Sequence, residues 1–73
     1  MALIDVKTEI TGNVWKIVAK IGDKLDEDEP ILILESMKME IPVSAAETGT
    51  VREILVAEGD VVSEGTVVAR LEA

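Results

Sequence analysis

The chain contains no cysteine, histidine, tyrosine or phenylalanine, and Trp15 is its one aromatic residue. Without cysteine no disulfide staples the fold, which fits a reducing compartment. Without histidine or cysteine, the usual zinc ligands, the common general base at neutral pH and any Cys-His or Ser-His pair are missing. Basic residues are also scarce, with 7 Lys and Arg against 15 Asp and Glu and a net charge of −8. Affinity for phosphate backbones comes from cationic side chains and single-strand binding from stacked aromatics, so nucleic acid is not an expected partner. The sequence shows neither a run of eighteen apolar residues nor a charged leader with an apolar core. A soluble, cytoplasmic, monomeric domain with no membrane partner is therefore expected. Paired carboxylates could still do acid catalysis, but 73 residues can hardly enclose a cleft and bury a core as well. No catalytic residue and no metal site is assigned, and an independent enzyme is not expected.

What the chain does have is β-prone apolar sequence, organised around Pro30 to Val43. Ile31 to Leu34 is a continuous apolar run, and Met37, Met39, Ile41 and Val43 alternate with Lys38, Glu40 and Pro42, the period of a strand. Run straight, Ile31 to Val43 would span about 43 Å at ~3.3 Å per residue. A compact domain of this length has a radius of gyration near ~11 Å and a diameter of roughly 29 Å. The segment must fold back, and its one polar interruption, Glu35 to Glu40, places Lys38 in the bend. A two-residue hairpin turn normally takes Asn-Gly, Asp-Gly or Gly-X, because its central residues need positive φ. Met37-Lys38 breaks that rule, and local rule-breaking is expected where a site is stored.

The chain also repeats itself. Thr11-Gly12-Asn13-Val14-Trp15-Lys16-Ile17 resembles Thr48-Gly49-Thr50-Val51-Arg52-Glu53-Ile54 at an offset of 37 residues. The same offset, without gaps, matches Gly22-Asp23 to Gly59-Asp60, Leu25 to Val62, Ile31 to Val68 and Leu34-Glu35 to Leu71-Glu72. One domain, 1–73, is thus two halves, about 4–35 and 41–72. Each half reads as a strand (Ile4 to Val6; Ile41 to Val43), a Gly-opened strand (Val14 to Ala19; Val51 to Ala57) and a Gly-Asp turn. A short extended piece (Lys24-Leu25; Val61-Val62), an acidic turn and a last strand (Ile31 to Glu35; Val67 to Glu72) follow. A single half exposes too much apolar strand to be stable in water. The expected fold is all-β, a flattened barrel or sandwich of about eight short strands, two related halves packed face to face. Lys38 then lies at the junction of the halves, and the symmetry mate of its bend falls at Met1-Ala2 and Glu72-Ala73.

Glu35-Ser36-Met37-Lys38-Met39-Glu40 resembles the biotinylation motif of biotin carboxyl carrier proteins, whose core is Met-Lys-Met. The frame is similar as well: Gly12-Asn13-Val14, Gly22-Asp23, Pro42 and Ala45, Gly49-Thr50-Val51, Gly59-Asp60 and Gly65. Among single-domain members the chain looks most like the small free-standing biotin/lipoyl attachment proteins, through Thr11 to Lys16. This resemblance implies a barrel-sandwich hybrid fold, quasi-two-fold, with the modified lysine at a hairpin tip. It implies biotin linked as an amide to Lys38 by a biotin protein ligase, and a carboxyl group carried on that biotin between a biotin carboxylase and a carboxyltransferase. The chain would be a non-catalytic carrier subunit. Asp28 stands where many members have Gly, which bears on the conformation of the turn before Pro30.

Each site residue has a bland reading beside this one. Most exposed lysines are simply solvated, but flanking methionines, turn chemistry and the repeat boundary all single out Lys38. An ordinary lysine is almost wholly protonated at neutral pH, so the ligase must desolvate or deprotonate it. Met37 and Met39 suit a recognition surface shared by several enzymes, although their spacing also fits core packing. Glu35 and Glu40 could steer the ligase or be ordinary solvated strand ends. Asp26-Glu27-Asp28-Glu29 lacks the ligand spacing and central Gly of a calcium loop and reads as a soluble turn. Ser36 has no base to activate it and reads as a turn hydroxyl, and Trp15 is expected to cover one end of the core. Two rivals stay open: a lipoyl carrier, whose domains generally show Asp-Lys-Ala at this turn, and an unmodified β-hybrid interaction module.

Overall fold

The computed structural model describes residues 2–73 and contains strands β1 (Leu3–Lys7), β2 (Gly12–Ile17), β3 (Lys24–Leu25), β4 (Pro30–Ser36), β5 (Met39–Ser44), β6 (Gly49–Ile54), β7 (Val61–Val62) and β8 (Val67–Glu72). They form two antiparallel four-stranded sheets, ordered β1-β8-β6-β3 and β5-β4-β2-β7. Among the described residues there is no helix, and so none long and apolar enough to cross a membrane. The strand reading holds element by element, with β3 and β7 at the expected residues. β2 and β6 stop short of the expected Ala19 and Ala57. The N–H groups of Val18 and Ala19 both donate to the Ile31 carbonyl, at 2.9 and 3.0 Å, which turns the chain out of its ladder.

Advancing by 37 residues carries β1 to β5, β2 to β6, β3 to β7 and β4 to β8, and therefore one sheet onto the other. Even the irregularities repeat. A β-bulge between Val14 and Lys16 in the β2–β4 pairing has its counterpart between Val51 and Glu53 in the β6–β8 pairing. The Gly-Asp turns match too: Gly22 and Gly59 have φ of 97° and 94°. Asp23 Oδ2 accepts from the Lys20 N–H, and Asp60 Oδ2 from the Ala57 N–H, both at 2.9 Å.

The halves are not packed face to face as two separate layers. Each contributes two strands to each sheet, and the pairings β1–β8, β4–β5, β3–β6 and β2–β7 all join one half to the other. The turns interlock likewise: Gly22 N–H donates to the Val51 carbonyl at 2.7 Å and Gly59 N–H to the Val14 carbonyl at 2.8 Å. Interleaving pairs strand edges that a half on its own would leave open, and unpaired buried backbone groups are costly. Between the sheets lies one core that includes Val14, Ile31, Leu32, Leu34, Val51, Val68 and Leu71, all at most 1% exposed.

Two expectations about single residues change. Trp15 does not cap the core; it is 49% exposed and is the extra residue of the β2 bulge. Val14 beside it is buried, so Trp15 lies on the outer side of β2, and the bulge leaves Lys16 exposed too. Asp28 takes the same conformation as its counterpart Gly65, φ 72° against 85°, and its N–H donates to the Ala45 carbonyl as that of Gly65 does to Thr8. Asp tolerates the left-handed region better than most side chains.

The molecule is elongated, 36 × 17 × 17 Å, with a radius of gyration of 11.2 Å. Its longest dimension is still too short for Ile31 to Val43 to run straight, and β4 and β5 fold back on each other. The symmetry mate of that bend is the pairing of Leu3 with Glu72, extended by an Ala73 N–H to Ala2 carbonyl bond of 3.2 Å. Met1, which the repeat also assigns to that place, lies outside the described residues.

Candidate functional site

The β4–β5 hairpin is the longest uninterrupted pairing of its sheet toward the turn, running Leu32↔Val43, Ile33↔Pro42, Leu34↔Ile41, Glu35↔Glu40 and Ser36↔Met39. Leu32 and Leu34 are fully buried and anchor its base in the core. Only Met37 and Lys38 remain for the turn, and both have positive φ, 50° and 65°. A two-residue loop with both central residues left-handed is a type I′ turn, whose twist matches that of the flanking strands. Neither side chain favours that region, and each such residue costs on the order of 1–3 kcal/mol. The register above the core leaves no alternative, because a one-residue slip would turn Leu32 and Leu34 out to solvent.

The backbone beneath the hairpin is held closely. Gly12, which opens β2, has so little room that a Cβ there would lie 2.8 Å from the Glu35 carbonyl oxygen and 3.3 Å from the Ser36 Cβ. Its counterpart Gly49 meets the Glu72 carbonyl oxygen at 2.9 Å in the same way. The glycines that open the repeated strands thus let β2 and β6 pass close under β4 and β8.

The sequence-assigned residues gather at this tip. Lys38 is exposed at the second turn position, and among the described residues it forms no ion pair. Met37 is 92% exposed and Met39 62%, which excludes a core role. Met37 belongs to the turn and not to the alternating strand, whereas Met39 lies on the side of β5 shared with Ile41 and the buried Val43 but beyond the end of the core. Glu35 and Glu40 are exposed and directly opposite each other, two like charges immediately below the turn. Ser36 pairs with Met39 and closes the turn.

The other candidates stay apart from the tip. Asp26 to Glu29 form a turn at the start of β4, where the Asp26 N–H donates to Glu29 Oε1 at 3.0 Å. Among the described residues no three Asp or Glu side chains converge as metal ligands would. A groove of about 380 Å³ runs between β1 and β5, and none of residues 35–40 lines it. What the site offers chemically is one primary amine on a stiff hairpin, flanked by two exposed thioethers and backed by two carboxylates.

Replacing Met37 with a residue that accepts left-handed backbone relieves part of the turn's cost. Met37→Asn is expected to raise unfolding stability by about 1 kcal/mol, read by denaturant titration. Equal stability would show that the turn holds no strain at Met37.

A family model described as "Biotin-requiring enzyme" matches residues 5–71. The chain is 46% identical over 66 residues to the biotin/lipoyl attachment protein of Bacillus subtilis, covering 90% of each. Its fold matches the structure of the Kluyveromyces lactis urea carboxylase with a TM-score of 0.93 and 36% identity, over 99% of this chain but only 6% of that one. It also matches the lipoyl domain of the Azotobacter vinelandii 2-oxoglutarate dehydrogenase complex with a TM-score of 0.77 and 30% identity, over 96% of each.

Proposed function

Because the chain belongs to the biotin-requiring enzyme family, we propose that it is a non-catalytic biotin carrier domain whose attachment point is Lys38. The observation that carries this is the strained two-residue turn, which holds out one amine between two exposed methionines. Lys7, Lys16, Lys20 and Lys24 are exposed as well, so exposure alone does not mark Lys38. Its place in a type I′ turn does.

The residues fit a covalently tethered group. Lys38 Nζ, once deprotonated in the ligase, attacks the activated carboxyl carbon of biotin; the C–N amide bond forms as the leaving group departs with its electron pair. Nothing on this chain serves as the base, so the proton passes to the ligase or to water. When attached, biotin supplies a ureido nitrogen that takes up and releases a carboxyl group. The protein's own part is mechanical. The core fixes β4 and β5, the two-residue turn fixes the direction of Lys38, and the free side chain lets the tethered end visit two sites. Tethering raises local concentration and makes each visit effectively intramolecular.

Relatives include proteins named urea amidolyase from Saccharomyces cerevisiae and biotin carboxyl carrier protein from Streptococcus mutans, which supports partners of the carboxylase kind. For this chain those are a biotin protein ligase, a biotin carboxylase and a carboxyltransferase. Met-Lys-Met favours biotin over lipoate, with which the fold is shared. The test is intact-mass analysis of the chain after incubation with biotin protein ligase or lipoyl ligase and the matching cofactor. A single biotinyl addition mapped to Lys38 is expected; a lipoyl addition alone, or none from either enzyme, would overturn the reading.

A further inference from the structure

The internal two-fold provides a comparison within one molecule, because each position on the outer face of one sheet has a counterpart 37 residues away on the other. On the sheet β1-β8-β6-β3 a row of charge crosses the strands: Arg70 Nε lies 2.9 Å from Asp5 Oδ1, and Nη1 lies 3.4 Å from Glu53 Oε1. These bonds raise the pKa of Arg70 above its ordinary value, with that to Asp5 contributing most. Beside the row, Arg52, the extra residue of the β6 bulge, reaches Glu72 at 2.6 Å. Among the described residues, all ion pairs lie on this face.

The counterparts of Asp5, Arg70 and Glu53 on the sheet β5-β4-β2-β7 are Pro42, Ile33 and Lys16, placed directly across from one another in the register. Trp15 takes the place of Arg52, and Glu35 that of Glu72. The charged row has become largely apolar, and Glu35 has lost the guanidinium its counterpart binds. It faces Glu40 instead, a cross-strand pair of like charges that disfavours the hairpin. The backbone does not require this arrangement, since the other sheet holds the same geometry with ion pairs. An exposed tryptophan and two carboxylates unpaired among the described residues therefore stand on the strands leading to and lying beside the Lys38 turn, without a folding reason.

We infer that the outer face of β5-β4-β2-β7, centred on Trp15, Ile33 and Pro42 with Glu35 and Glu40 at its border, docks the enzyme that acylates Lys38. That enzyme meets it with an apolar patch edged by Arg or Lys, the complement in both shape of polarity and charge. The inference rests on reading Lys38 as the attachment point. Reach selects the ligase among the partners: five bonds of ~1.5 Å put Nζ about 6 Å from its Cα, so the ligase must press against the hairpin itself. Enzymes acting on the far end of the attached arm stand further away.

The test grafts the residues of one sheet onto the other. Trp15→Arg with Ile33→Arg copies what β6 and β8 carry at those positions, and Trp15→Arg is made alone as a second variant. Initial rates of biotinylation of the full chain by biotin protein ligase are measured against carrier concentration, with circular dichroism and thermal unfolding of each variant. The double variant is expected to raise KM about tenfold or more, the effect of losing an interfacial tryptophan anchor, with kcat little changed. Asp5→Asn on the opposite sheet is expected to leave both constants as they are. An unchanged KM in the folded double variant overturns the inference while wild-type labelling upholds the attachment reading. So does a loss confined to later carboxylation, which would give this face to the carboxylase. If the double variant does not fold, Trp15→Arg alone decides by the same measure. A wild-type chain that takes no biotin overturns the attachment reading and the docking face together.

Discussion

Lys38→Arg is expected to take no biotin at all while folding as the parent does. Arginine keeps the positive charge and the length of the side chain, but its guanidinium is never neutral at accessible pH and is no nucleophile. The substitution therefore removes the amide-forming nitrogen and little else. Because Lys38 is exposed and unpaired among the described residues, the stability change should stay within about 0.5 kcal/mol, as for other surface positions. The measurement is intact mass after exhaustive treatment with ligase, together with thermal unfolding. The variant also asks what the ligase recognises. If label moves to Lys7, Lys16, Lys20 or Lys24, which are equally exposed, then exposure and not the left-handed turn directs the enzyme. Complete absence of label assigns the choice to the turn and its neighbours.

Removing three carbons from the centre of the core should cost between about a quarter and three quarters of the fold's stability. Leu34 and Leu71 are counterparts under the two-fold, both 0% exposed, each beside the strand opened by a close-packed glycine. Leu34→Ala and Leu71→Ala are each expected to lose about 3 kcal/mol, within the usual span of about 2–5 for buried leucine. A domain of this size is worth only about 4–11 kcal/mol in total, at about 0.05–0.15 per residue. Either variant would thus lower the denaturation midpoint, and guanidinium titration would read the shift. The pair carries a sharper expectation. If the two sheets are equivalent in energy as they are in register, the two losses should agree within about 1 kcal/mol, given the context dependence of such cavities. A much smaller loss at Leu34 would mean that the hairpin half of the core relaxes more easily than its counterpart.

Much of the fold was legible because two signals repeat in the chain itself. Period-2 alternation located the strands, and the gapless 37-residue offset from Thr11 to Thr48 required equivalent elements in each half. Gly22-Asp23 and Gly59-Asp60 marked turns for a local reason, since Gly takes the positive φ and Asp caps the turn through its own side chain. That Ile31 to Val43 must bend followed from its length, and the polar interruption Glu35 to Glu40 placed the bend at Lys38. These are properties of short stretches of chain, so a sequence can state them.

Three features were decided elsewhere. That the halves interleave depends on which strand edges meet, and edges are satisfied only in the assembled sheets; β1–β8, β2–β7 and β3–β6 join residues by register that no local pattern specifies. Trp15 faces solvent because the assembled sheets bury the side of β2 that carries Val14, and the bulge shared by β2 and β6 then leaves Lys16 outward as well. The contrast between an ion-paired face and an apolar one arises only when Arg52, Arg70 and their counterparts Trp15 and Ile33 are carried to opposite sides of the molecule. Sequence fixes the repeat through local periodicity, while the sidedness of that repeat is a property of long-range pairing and exists only in the folded chain.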